Sequence, residues 1–224
     1  MNRAAAAMAR HAQVVAGNKP ASVAAPAPLN QQDRLMLVAL ESDLYRIKEI
    51  QSHARRNEVK KAELLPRYRA YLEDLLVSSQ PRTPAIIVRN LIWAIDTADY
   101  DWALRLGLFA VAHQLPTPEG FRRDIRNLFV GDMATAALEL QKNSQIVIID
   151  WLFNLEGMSK KWDLIDEVRA DLYKALAQEY ERGKHYGTAL PLYRLADKLN
   201  SRVRVQRAIT RLEKLLEAQN AQPA

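Results

Sequence analysis

The densest carboxylates in the chain are Asp96, Asp99 and Asp101. Acidic clusters of this kind are where a divalent-cation site begins, since two-metal nucleases hold their ions about 3.5–4 Å apart on such groups. As metal ligands the three would need another carboxylate from elsewhere in the chain, such as Asp132 or Asp150. The same residues also suit the start of a helix, where anionic side chains meet the positive end of the dipole and cap its amides. That role accounts for Asp96 and Asp99 without a metal. Glu58-Val59-Lys60 echoes the E-x-K end of a restriction-type nuclease motif, but that geometry belongs on a strand preceded by an aspartate, whereas these residues lie in a helical, basic stretch. His11, His53, His113 and His185 are isolated, with no H-E-x-x-H spacing and no cysteine ligand to join them. The chain has no cysteine, which removes thiolate nucleophiles, thiolate metal sites and disulfides together. It also lacks G-x-x-x-x-G-K-[ST], so no P-loop cradles nucleotide phosphates. No catalytic residue, cofactor or resident metal is therefore assigned.

Two basic clusters remain. His53, Arg55, Arg56, Lys60, Lys61, Arg67 and Arg69 fall within seventeen positions, interrupted by Glu58 and Glu63. At a junction between two helices such residues suit a phosphate contact, because full charges and helix-end amides attract an anion together. The alternative is a solvated hinge with ion pairs such as Glu58 with Lys61. The second cluster is cleaner. At 100° per residue Val205, Ile209, Leu212 and Leu216 fall within about 60° of one another, and Arg204, Arg207, Arg211 and Lys214 within about 80° on another face. One side packs and the other carries charge. Four phosphate contacts would give a salt slope near −3.6 per engaged subunit at about −0.9 per contact. No aromatic side chain interleaves the cations, so duplex backbone contact is favoured over a single-strand stacking platform. An ordinary exposed face of a terminal helix remains the alternative.

The elements that must position these groups are helices. The 224 residues include only seven glycines, and Ala, Leu, Glu, Lys and Arg are abundant, which predicts an all-α chain large enough to bury its own core. The net charge of +6 is unevenly spread: residues 1–95 carry 14 basic and 8 acidic groups, 96–182 carry 10 and 15, and 183–224 carry 8 and 3. Cationic ends and an acidic middle suit flanks that meet a polyanion and a centre that meets protein.

Residues 1–28 hold three positive charges, no negative ones and a Pro/Ala-rich exit, and are expected to form a disordered basic arm with neither a secretory signal nor a membrane span. Asn30 is placed to cap a helix running to about Arg56. Within it Leu37, Leu40, Leu44 and Ile47 recur at three, four and three, the seam spacing of a coiled coil. They serve either packing within the domain or self-association, and they are the candidate oligomerisation residues. A second helix starts near Pro66, and Thr83-Pro84 and Thr117-Pro118 each read as an N-cap and first helical residue. Further helices are expected at 84–95, 99–114, 118–129, 132–143, 145–156, 160–182, 186–199 and 201–218, with QIVIIDWLF open to a buried strand instead. The organisation is then an arm over 1–28, an N-terminal helical segment over 29–80, helical hairpins over 81–200, and a basic C-terminal helix and tail over 201–224.

DYDWALRLGLFAVAHQ at 99–114 aligns without gaps on HYGTALPLYRLADKLN at 185–200, sharing Tyr, Ala-Leu, Leu and Ala positions. Both look like the second helix of a tetratricopeptide-type hairpin, although the offset is no whole number of 34-residue repeats.

KKAELLPRYRAYLEDLL, LIWAIDTADYDWALRLGLFAVAHQL and ALPLYRLADKLNSRVRVQRAITRLEKLLE together resemble the small subunit of tailed-bacteriophage terminases, a family whose name often refers to an endonuclease subunit. The resemblance covers about residues 30–218 and is strongest at 60–115 and 188–217. It implies a non-motor component of viral DNA packaging in the host cytoplasm, which recognises double-stranded viral DNA, assembles as an oligomeric ring and delivers DNA to a large ATPase and nuclease subunit. The missing P-loop fits that division of labour. On this footing Arg55, Arg56, Lys60, Lys61, Arg204, Arg207, Arg211 and Lys214 are the expected DNA contacts. The competing expectations are a metal-dependent endonuclease subunit that cuts cohesive ends itself, and a protein-only adaptor.

Overall fold

The computed structural model describes residues 28–143, 145 and 149–220. The basic arm expected over 1–28 lies outside the described residues except for Pro28. Every regular element among the described residues is helical, as the composition predicts.

Helix α1 (Gln31–Glu49) opens with the expected Asn30 cap: Asp33 N–H donates to Asn30 Oδ1 at 2.8 Å, and Asn30 N–H donates back to Asp33 Oδ2 at 2.9 Å. It stops seven residues short of Arg56. Ile50 is extended, and Ser52 starts a new helix by accepting from Arg55 N–H at 3.3 Å. A serine that can satisfy free amides competes with continuation of the helix. Helix α2 (His53–Val59) then runs through a π-helical turn at Lys60–Leu64 into α3 (Leu65–Ser78). Pro66 thus sits inside a continuous helical run. It has no N–H to donate and its ring crowds the preceding turn, and the wide π turn, closed by Leu65 N–H on the Lys60 carbonyl, supplies the room.

Helix α4 (Pro84–Asp96) starts at its proline as expected, but Thr83 does not cap it. The Thr83 hydroxyl pairs with Tyr71 Oη at 2.9 Å instead. Helix α5 is Tyr100–Ala112. The helices expected over 118–129 and 132–143 are one, α6 (Ile125–Lys142), which begins after the Thr117-Pro118 pair because Asp124 caps it through Asn127 N–H at 2.9 Å. Helix α7 is Ile149–Ser159, so the described part of QIVIIDWLF beyond Asp150 is helical. Helices α8 (Asp166–Arg182), α9 (Tyr186–Leu199) and α10 (Gln206–Asn220) complete the chain, with a 3-10 turn at Ser201–Val203 before α10.

Two groups of buried residues hold these helices. The larger joins α1 to α8, with Trp102, Tyr68, Phe129, Leu72 and Leu91 at its centre. The smaller joins α8, α9 and α10 through Ala170, Ala177, Ala189, Tyr193, Ala196, Val205, Ile209 and Leu212. Helix α8 faces both, so the terminal module is fixed to the body along one helix. Ala103, Ala110, Ala189 and Ala196, the small residues shared by the two similar stretches, are all fully buried, which allows close helix approach on both.

Candidate nucleic-acid interface

The terminal module gives its cations two different settings. Asn200 ends α9 and its side chain accepts from Arg202 N–H at 3.1 Å. The chain then turns through Arg204, which is left-handed at φ 57° between buried Val203 and Val205. With both neighbours anchored, the Arg204 side chain is left on the surface. Ile209 and Leu212 hold α10 to the module, and Arg207, Arg211 and Lys214 are exposed on its other side, together with Thr210 and Leu215. Within α10 the apolar and cationic residues lie on separate faces; Arg204 and Val205 precede the helix, so the 100° spacing does not extend to them.

Arg211 differs from its neighbours. It donates to Glu181 Oε1 through Nη2 at 2.5 Å and Nε at 3.1 Å, while Tyr193 Oη donates to Glu181 Oε2 at 2.8 Å. Burial, first, and then the bond to Glu181 push the Tyr193 hydroxyl pKa well above its usual value, so it stays a donor. Arg204, Arg207 and Lys214 form no ion pair among the described residues. Arg204 and Arg211 also border a cleft of about 860 Å³ between α6, α8 and α10, shared with Lys142, Lys174, Glu139 and Glu181.

The other basic cluster is largely taken up by the fold. Lys60 is only 9% exposed; its Nζ donates to Asp96 Oδ2 at 2.7 Å and to Asn57 Oδ1 at 3.1 Å. Arg67 Nη1 reaches both oxygens of Asp43 at 2.7 and 2.8 Å. Arg69 pairs with Glu73 and Asp99, both at 3.2 Å, and lies 3.9 Å over the Trp102 ring. Arg56 is half-buried and donates to the Gln51 carbonyl at 3.1 Å. Arg55 is exposed but shares Glu58 at 3.0 Å, and Lys61 and His53 are exposed. The segment 53–64 packs with α3 and α4, whereas α10 packs on α9, so the two clusters belong to different packing units.

The seam residues face inward. Leu40 and Ile47 are buried in the larger core, and Leu37 and Leu44 pack partly against it. Two aspartates share that inward face, which the sequence reading missed. Asp33 accepts from Tyr71 at 2.7 Å and Arg82 at 3.0 Å, and Asp43 accepts from Tyr68 at 2.8 Å beside Arg67. Burial alone would raise the Asp33 pKa, but the Asn30 amide, Tyr71 and Arg82 together hold it below the ordinary value. The available signal was the pair Tyr68 and Tyr71, one turn apart, with Arg67 and Arg82 close by in sequence.

Asp99 does what a helix-start aspartate should: its Oδ1 accepts from Trp102 N–H at 3.4 Å at the head of α5. Asp96 is held by Lys60. Asp132 on α6 shares a cleft of about 720 Å³ with Asp96, Asn57, Tyr100 and Glu139. Burial, assisted by Asp96 and opposed by Arg123, pushes the Asp132 carboxyl up to about 6. Among the described residues no three His, Asp or Glu side chains converge to hold a metal ion. His113 closes α5 with its ring 4.3 Å from that of Phe109, and burial lowers its pKa. No helix among the described residues is long and apolar enough to cross a membrane.

The structure is thus a helical scaffold that carries a cationic terminal helix. The sequence profile of the phage small terminase subunit family matches residues 37–167, from within α1 to the first turn of α8. The chain belongs to that family. It is also 29% identical over 182 residues to the protein of Escherichia phage P2 called "Terminase, endonuclease subunit", an alignment covering 81% of this chain and 73% of that one. No solved structure matches. Family membership gives the chain a role in phage DNA packaging.

Proposed function

We propose that this chain recognises double-stranded viral DNA through the exposed face of α10, self-associates, and hands the DNA to a large subunit that holds the ATPase and nuclease. The observation that carries the proposal is the pairing pattern at the terminal helix: Arg204 in the turn before α10, and Arg207 and Lys214 on it, are exposed and without carboxylate partners among the described residues, while the opposite face of α10 is locked into a core. A rigid helix presenting unpaired cations contacts phosphates without first ordering its side-chain platform. Because Arg211 is shared with Glu181, three free cations set the expected salt slope, about −2.7 per engaged subunit at −0.9 per contact. Lys61 and Arg55 on the α2 side form a second, weaker phosphate contact. A ring of subunits then multiplies a modest single-chain affinity, because each further contact becomes intramolecular.

Cutting is assigned to the complex and not to side chains of this chain. Of its densest carboxylates, Asp96, Asp99 and Asp101, the first two are occupied by Lys60, by Arg69 and by the Trp102 amide. Equilibrium binding to duplex and single-stranded fragments carrying the phage cohesive-end sequence tests the proposal. Duplex binding at low salt that weakens steeply as salt rises supports it. Absence of duplex binding by the full chain, with the large subunit still bound, would leave a protein adaptor instead.

A further inference from the structure

The outer face of α1 carries three of the exposed large apolar side chains among the described residues. Leu35, Val38 and Tyr45 are 64%, 66% and 69% exposed, and with Ser42 they recur at three, four and three residues. This is a second seam, about 160–200° around the helix from the inward one at 100° per residue. The inward face is already spent on Leu40, Ile47, Asp33 and Asp43, and among the described residues nothing covers the outer one. Arg34 and Glu41 flank the stripe on one side. Both are exposed, they sit two turns apart, and neither belongs to an ion pair among the described residues.

We infer that this outer face of α1 pairs with the same face of a second copy of the chain, antiparallel about a two-fold axis near residues 36–37. This rests on the self-association proposed above and assigns a surface to one of its contacts; a two-fold contact closes at a pair, so a ring joins such pairs through a second interface. In that register Leu35 lies opposite Val38 of the second copy, and Val38 opposite its Leu35, which makes a four-residue apolar centre. Arg34 then faces Glu41 of the second copy, and the symmetry repeats the pair on the other side. Ala39 falls next to the seam opposite Gln32, where a small side chain lets the helices approach. Tyr45 meets the exposed Pro28 that precedes the other helix. The charge pattern decides the occupant. The plus and minus of one helix complement the minus and plus of its own reversed copy, whereas a parallel in-register copy puts Arg34 opposite Ala39 and Glu41 opposite Arg46, which is already paired with Glu63 at 2.6 Å.

Because the chain has no cysteine, single-cysteine variants report geometry without background. Mixed Leu35→Cys and Val38→Cys chains should be joined by a short bismaleimide, and Tyr45→Cys alone should not. Self-cross-linking of Tyr45→Cys, the mark of a parallel pair, overturns the inference, as does failure of the mixed pair to link. Sedimentation velocity supplies the second measurement: Arg34→Glu and Glu41→Arg each weaken association by about tenfold or more, and the double exchange restores it. A wild-type chain that sediments as a monomer overturns both the inference and the self-association beneath it. An associated wild-type chain whose mass neither exchange changes overturns the inference alone. Circular dichroism of each exposed variant checks that the helices remain.

Discussion

The Tyr71 hydroxyl donates to Asp33 at 2.7 Å and pairs with Thr83 Oγ1 at 2.9 Å. One tyrosine thus ties the start of α1 to the residue before α4, inside an environment where Asp33 is fully buried. Removing the hydroxyl takes the donor from Asp33 Oδ1, while the Asn30 amide and Arg82 stay on Oδ2, and an unpaired oxygen in a buried site costs free energy. Tyr71→Phe should lower unfolding stability by about 1–3 kcal/mol. The Asp33 pKa is depressed in the fold, so its contribution is complete above the unfolded value near 4 and is lost as pH falls through the folded one. Denaturant melts should show the wild-type chain losing stability faster than Asp33→Asn below about pH 4.

Gly107 on α5 lies against the Phe129 ring of α6, and a Cβ there runs into the ring edge. Phe129 is fully buried and cannot step aside. Gly107→Ala should therefore destabilise the chain by about 1–3 kcal/mol through overpacking, although alanine favours the helix itself. Phe129→Leu in the same chain should return part of the loss. Thermal melts of the single and double variants check the coupling.

Asp132 behaves oppositely to Asp33. Its carboxyl is raised to about 6 in the fold, so the stability it contributes is present below the unfolded value near 4 and is lost as pH rises through 6. Asp132→Asn should be more stable than wild type at pH 8 by roughly 1–3 kcal/mol and should lose that advantage near pH 4. Carboxyl-detected NMR titration of Asp132 gives the pKa directly.

Lys60 and Lys61 are neighbours with different employments. Lys60→Met should lower stability by about 1–3 kcal/mol, because Asp96 loses its partner, and should leave duplex affinity unchanged at saturating folded protein. Lys61→Ala should do the reverse, staying within about 0.5 kcal/mol of wild-type stability and weakening duplex binding slightly.

What the sequence revealed and what it hid divide along local and tertiary lines. The Asn30 cap, the Pro84 start and the two faces of α10 were legible because each depends on residues within a turn or two of one another. The break at Ser52 and the cap at Asp124 were local too, but other residues offered competing signals, a continuing seam in one case and Thr117-Pro118 in the other. Inward placement of the Leu37, Leu40, Leu44 and Ile47 seam was one of two meanings that its spacing allowed. The choice between them is tertiary: Tyr68 and Tyr71 on α3 reach Asp43 and Asp33 and turn that face toward the core. Lys60 illustrates the same limit at the candidate site. Its burial depends on Asp96, thirty-six residues away, and no spacing rule joins them.

The most direct test is the slope of log affinity against log salt for duplex DNA, measured on the wild-type chain and on Arg204→Ala/Arg207→Ala/Lys214→Ala. The wild-type slope should be steep, and the variant should be shallower by about 2.7 per engaged subunit while folding normally. Identical slopes for the two chains would contradict a DNA-gripping α10.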